Sequence, residues 1–153
     1  MAIFVEGMKC SICNQLIMHE EEKINLPPFI SNKNDSLFMF SDAVFHMHCF
    51  SNHVLAEKVK NRFNEFKMAS GQKVCLICNK KIENPDEYLG LGFLADNINS
   101  PLFRYNYKHF HNYCLSTWTK LPEFYQHLKE LHVSGEWGGG GLELLIKYIE
   151  SIC

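Results

Sequence analysis

The sequence predicts a small α+β fold used twice in tandem, each copy too small to rely on its apolar core alone. Three observations predict it. Cys10, Cys13, His46 and Cys49 are spaced as Cys-x-x-Cys…His-x-x-Cys, and Cys75, Cys78, His111 and Cys114 repeat that spacing. All four positions shift by one constant offset (10 to 75, 13 to 78, 46 to 111, 49 to 114). The flanking residues shift with them: Ile17 answers Ile82, Leu26 answers Leu91, Phe29 answers Leu94, and Phe45 answers Phe110. Repetition at one fixed period means a single structural unit built twice.

Each set offers three thiolates and an imidazole, the donor complement of a closed tetrahedral zinc site. In a Cys-x-x-Cys knuckle the chain turns tightly enough for both sulfurs to face one ion. In a His-x-x-Cys pair the ligands stand at i and i+3, neighbours on the first turn of a helix. Thiolate-rich ligation selects zinc over magnesium or calcium. Four protein ligands leave no position for an activated water, so two structural Zn2+ ions are expected and no catalytic metal. A redox pair would need a thioredoxin-like βαβ setting, and the pattern contains none. His48 lies between ligands of the first set, but its counterpart is Tyr113, and His109 answers Val44. Neither is shared, so neither is expected to be a ligand. His19, His53, His127 and His132 are expected to be solvated or packed.

Along the chain, residues 2–5 read as a short strand entering the first knuckle. Residues 15–18 and 37–40 read as the arms of a small sheet, with a loop around Pro27, Pro28 and residues 32–35 between them. From Cys49 the apolar residues Phe50, Val54, Leu55, Val59, Phe63 and Phe66 form one helical stripe, which Ser70, Gly71 and Gln72 end. In the second copy, 88–94 and 102–107 read as strands, and a ligand helix begins near His111. Pro122 suits the first turn of a further helix. Phe124, Leu128 and Leu131 mark its face, and Ser134-Gly135 stops it. Residues 138–141 are all glycine and are expected to form a hinge or turn, since the Lys-Ser/Thr of a phosphate loop is missing. Leu142, Leu145, Ile146, Ile149 and Ile152 predict a last amphipathic helix without a copy in the first unit. The units expected are thus 1–66, a first Cys3His zinc-binding unit, and 67–153, a second one with the additional C-terminal helix.

At 153 residues with 46 % apolar side chains the composition is globular. No secretory leader or membrane-length apolar run is visible, and six of the seven cysteines are assigned to metal. That usage predicts a reducing, cytoplasmic compartment, with Cys153 a bystander. The formal charge is −2 with thiols neutral. Each zinc adds two charges while three thiol protons leave, so the metallated chain is expected near about −4. Residues 1–65 carry six basic and eight acidic side chains, and the Glu20–Glu22 run reads as a solvated face. Neither half has the basic cluster of a polyanion binder.

The frame of knuckle, small sheet and ligands on a helix's first turn, at Cys10/Cys13/His46/Cys49 and its copy, resembles tandem Cys3His treble-clef fingers. The poly(ADP-ribose) polymerase-type finger is similar in ligand order, long middle spacer, tandem use and an aromatic before the ligand His, as at Phe45 and Phe110. LIM-type modules share the half-site but continue with a second ligand set, which does not follow Cys49 or Cys114. The first resemblance implies binding at DNA ends; the only arginines, Arg62 and Arg104, and the acidic balance argue against it.

No complete set of catalytic roles can be named, so no enzyme is expected. The expected function is a non-enzymatic protein-interaction module with a protein partner. One version is an inhibitor or immunity-type protein that neutralises a basic enzyme, for which an acidic stand-alone chain is suited. DNA-end or single-strand recognition is the alternative.

Overall fold

The computed structural model describes residues 4–152. The chain divides into two compact units, Met1–Ile30 with Asp35–Phe66, and Ser31–Asn34 with Lys67–Cys153. It is a small α+β structure, with two separate two-stranded antiparallel sheets among the described residues.

The first unit starts with the knuckle. An isolated bridge pairs Lys9 with Leu16, and the turn is closed by Cys10 N–H to Gln15 O (2.9 Å) and Asn14 N–H to Cys10 O (2.8 Å). Asn14 takes the left-handed conformation this turn needs, φ 59°, which Asn tolerates better than most residues. Strand β1 (Lys23–Leu26) pairs with β2 (Ala43–His46), setting Lys23 opposite His46. The ligand-bearing α1 (Met47–Ser51) follows at once, then α2 (Ala56–Gly71). Ile17, Leu26, Phe29, Leu37, Phe40, Phe45, Phe50 and Val59 close the core.

The second unit repeats this order at the sequence period, with an added 3-10 turn at Pro85–Glu87. The bridge Val74–Lys81 replaces Lys9–Leu16, and Asn79 repeats the left-handed turn at φ 56°. Strand β3 (Tyr88–Gly90) pairs with β4 (His109–His111), with Tyr88 opposite His111. Helices α3 (Asn112–Ser116) and α4 (Leu121–Ser134) follow, the second with Pro122 in its first turn and Gly135 as a left-handed stop at φ 77°. Helix α4 opens on Leu121, the counterpart of the Ala56 that opens α2, so the repeat includes it. Even the loop supports match. Ser41 Oγ accepts from the N–H groups of Phe29 and Ile30 (3.0 Å each). Asn106 Oδ1 does the same for Leu94 and Ala95 (2.7 and 3.1 Å).

Several expected elements are corrected. Residues 37–40 and 102–107 are not strands; they hold the 3-10 turns Phe38–Phe40 and Phe103–Tyr105. Asp35 Oδ1 takes the Leu37 N–H (2.8 Å), and Ser100 Oγ takes that of Leu102 (3.3 Å). These side-chain caps turn the chain into a three-residue period, so Leu37 and Phe40, like Leu102 and Tyr105, both reach the core. Residues 15–18 contribute only the return arm of the knuckle; Ile17 is buried while Leu16 and Met18 face solvent. Of 88–94 only the first three residues are strand. Of 2–5, Ala2 and Ile3 lie outside the described residues, as does Cys153, and Phe4 and Val5 are not strand. The helical stripe from Cys49 is broken between α1 and α2. There His53 Nδ1 accepts from Leu55 N–H (3.2 Å), and Val54 is 92 % exposed.

The last helix, α5 (Gly141–Ile152), buries Leu142, Ile146 and Ile149 in the second unit's core beside α4. The glycines before it turn the chain at Gly139, φ 89°, and the first of them, Gly138, is held in place. Gly138 N–H donates to Asn32 Oδ1 (2.7 Å), Lys33 N–H to Gly138 O (2.9 Å), and Asn32 Nδ2 to Glu136 O (3.0 Å). A Cβ on Gly138 would fall 2.5 Å from Asn34 Oδ1, so a larger residue there would displace the Asn34 side chain.

Candidate metal centres

Among the described residues two groups of side chains are placed to hold a metal: Cys10, Cys13, His46 and Cys49, and Cys75, Cys78, His111 and Cys114. In each group the donor atoms lie within 4.8 Å of one another. The knuckle supplies the first two sulfurs, the end of the second strand supplies the histidine, and the first turn of the short helix supplies the third sulfur. The strand pairing fixes the histidine, because its register is locked by the Phe45 and Phe110 side chains, both fully buried.

The spacing fits zinc. His46 Nδ1 is 3.4 Å from Cys13 Sγ and 3.8 Å from Cys49 Sγ. His111 Nδ1 is 3.4 Å from Cys78 Sγ and 4.0 Å from Cys114 Sγ. Zn–S bonds of ~2.3 Å and Zn–N bonds of ~2.0 Å in a tetrahedron give S···N edges of ~3.5 Å. The six described cysteines are free thiols rather than disulfides.

Electrostatics point the same way. Burial opposes ionisation of Cys10, yet the backbone N–H groups of Cys13, His46 and Ile12 outweigh it and hold the thiol down at about 6. Cys75 is likewise buried and likewise held at about 6, by Cys78, His111 and Ile77. Burial pushes Cys49 and Cys114 the other way, to about 11, and the neighbouring cysteines add to the push. Each group therefore welcomes a thiolate at its first cysteine and resists one at its last. Only a cation at the centre allows all three sulfurs to ionise together, which is what a divalent ion supplies. Two separate Cys3His clusters thus each suit one structural zinc.

The supporting contacts differ. With Nδ1 turned to the sulfurs, His46 presents Nε2 to Glu21 Oε2 (3.2 Å) and Leu16 O (3.3 Å). Glu21 is itself fixed by the Met18 N–H (2.7 Å), and that bond, with its contact to His46, keeps its carboxyl below the usual range although partial desolvation opposes it. A carboxylate on the far nitrogen orients a ligand histidine and raises its basicity. Sequence reading takes the Glu20–Glu22 run as a solvated face and so misses this role; the one available signal is the acidic Asp86 at the equivalent position. Asp86 is used differently: its backbone carbonyl accepts from Asn112 Nδ2 (3.1 Å).

His48 and Tyr113 lie outside both ligand groups but occupy one common place. Each ring stacks on its ligand histidine, at 5.3 Å and 22° for His48 and 5.0 Å and 23° for Tyr113. His48 Nε2 is 3.3 Å from Cys49 Sγ. His109 is buried and satisfied, accepting from the Tyr88 hydroxyl at Nδ1 and donating from Nε2 to Ala69 O (2.9 Å each). His53 packs edge-on against Phe40, the place Trp118 takes against Tyr105. No helix among the described residues is long and apolar enough to cross a membrane. Set against known proteins, the chain matches no family model, no curated sequence and no solved structure.

Proposed function

We propose that the chain is a zinc-built protein-interaction module without catalysis of its own, of the kind that inhibits or neutralises an enzyme partner. The observation that carries this reading is the closure of both metal groups. Three sulfurs and one Nδ1 converge in each, so the metal has no side left for substrate and serves to hold a surface in shape.

An apolar groove supports a protein partner. It encloses about 310 Å³ in the second unit, between the β3 segment (Leu89, Leu91) and the α5 face carrying Leu144, Leu145 and Tyr148. Leu144, 69 % exposed, lines this groove together with Leu145 and Tyr148. The net acidic charge favours a basic partner. The resemblance of the ligand order to DNA-end-binding fingers supplies the second reading, which the shortage of arginine and of basic clusters disfavours.

The test is affinity capture from the native host with wild type and Leu144→Glu. A stoichiometric protein retained by wild type and lost by the variant is expected. Absence of any stoichiometric protein, together with salt-sensitive gel shifts on nicked or single-stranded DNA, overturns the reading in favour of the second.

A further inference from the structure

The two zinc groups share one geometry but not one exposure. Cys13 is exposed and Cys49 half-buried in the first group, whereas the equivalent Cys78 is half-buried and Cys114 buried in the second. The ring over the last sulfur differs as well. Tyr113 stacks on His111 beside the buried Cys114, while the smaller His48 imidazole lies at the edge of the half-buried Cys49. A small polar oxidant in solvent therefore meets an exposed sulfur at the first group, whereas the second offers it only the half-buried Cys78.

We propose that the first Cys3His group is a modification site for hydroperoxides, at which Cys13 is oxidised onto Cys10 and the first zinc is given up while the second is kept. This stands apart from the identity of any partner. Thiolates, not thiols, are the reactive species, and exposure selects among them. The Cys13 sulfur attacks the terminal peroxide oxygen; the O–O bond breaks, hydroxide or alkoxide leaves, and Cys13 carries a sulfenic acid. The Cys10 thiolate then attacks that sulfur; the S–O bond breaks, hydroxide leaves, and a disulfide forms. Two thiolates have lost two electrons and the peroxide has gained them. Cys10 needs no access to solvent for its step. It sits three residues away on the turn closed by Asn14 N–H to Cys10 O at 2.8 Å. With two of four donors consumed, the first group no longer holds its ion, and the first unit loses its staple. Glu21 on His46 strengthens the first site thermodynamically, so the difference proposed is one of access rather than of affinity.

The test uses the full-length two-zinc protein, sub-stoichiometric to excess hydrogen peroxide, a chromogenic zinc reporter, and differential alkylation read by peptide mass spectrometry. One equivalent of zinc is expected to leave at least ~10-fold faster than the other, in step with oxidation of the peptide holding Cys10 and Cys13. Dithiothreitol with added zinc is expected to restore the two-zinc mass. Tyr113→Ala keeps every ligand and is expected to speed release of the second equivalent severalfold. Simultaneous release, first oxidation at Cys75 or Cys78, or zinc loss without thiol oxidation each overturns the proposal.

Discussion

The first unit keeps its loop in place with a buried ion pair, whereas the second, at the same positions, has none. Arg62 Nη1 lies 3.0 Å from Asp35 Oδ2, and both side chains are nearly buried. Their counterparts one period on are His127 and Ser100 (62 to 127, 35 to 100). His127 turns instead to Glu130 (3.1 Å) and Glu123 (3.7 Å) along its own helix. What the second unit lacks there it gains elsewhere, because α5 adds Leu142, Ile146 and Ile149 to its core. The first unit packs Phe29, Phe63 and Phe66 against one another in place of such a helix. The ligand frame and the residues directly beneath it are held in common, while the outer support of each copy has been solved separately. Metal geometry tolerates little variation; the means of bracing α2 or α4 tolerates a great deal.

The comparison breaks most completely at the ligands. Cys13→Ser is expected to remove one zinc and unfold the first unit, and Cys78→Ser to do the same to the second, since metal binding carries on the order of 10 kcal/mol or more of each unit's folding. Native mass spectrometry gives the metal count, and amide NMR shows which half of the spectrum collapses. His48→Ala is expected to retain both ions, because the first group has four donors without it. Loss of an ion in that variant would move His48 into the ligand set.

A middle-sized effect separates the two braces. Arg62→Met leaves Asp35 buried without its partner, and breaking such a pair from one side costs about 3–5 kcal/mol. The loss is expected in the first unit's unfolding alone. The double change Arg62→Met with Asp35→Asn removes both charges while keeping an acceptor for the Leu37 N–H, and is expected to recover part of it. His127→Ala removes a half-buried side chain that pairs along its own helix and is expected to shift the second unit by no more than about 1 kcal/mol. Chemical denaturation of zinc-loaded protein, followed separately for each unit by NMR, reads all three. Equal losses from Arg62→Met and His127→Ala would mean that the two positions are equivalent after all.

Much of this architecture is legible in the spacing. The fixed period places every donor side chain of both groups and pairs Ile17 with Ile82 and Phe45 with Phe110, because a period survives wherever a position is both buried and tied to the metal. Strands are misplaced for a local reason. Leu37-Phe38-Met39-Phe40 reads as a strand-forming run, and what bends it is an Asp side chain just before it, an Asx turn. The Lys-Ile-Asn-Leu alternation of β1 carries a true period-two signal but spans only 4 residues. Helix α4 does not declare itself the copy of α2, since Leu121, Phe124 and His127 share no residue type with Ala56, Val59 and Arg62. Glu21 is hidden in an acidic run, as its role depends on a histidine 25 residues away.

Glu21 is also where the comparison can be sharpened most finely. The carboxylate at His46 Nε2 accepts a hydrogen bond without a counterpart at the equivalent position of the second unit, where Asp86 engages Asn112 through its backbone. Glu21→Gln keeps the shape but weakens the acceptor, and loss of such a partner typically costs ~10–100-fold in metal affinity. Competition with a chelator is therefore expected to weaken the first site alone, while Asp86→Asn leaves both sites as they were. The sign with pH follows from the sulfurs. Cys10 and Cys75 are depressed to about 6 in the fold, so their contribution is complete above the ordinary thiol value of 9.0 and is lost as pH falls through about 6. That window is common to both units. Glu21→Gln is expected to raise the acid-release midpoint of the first zinc relative to the second, because a proton then competes with a more weakly held ion. Unchanged release of both would leave His46 oriented by Leu16 O alone, and would make the two centres chemically equal despite their different surroundings.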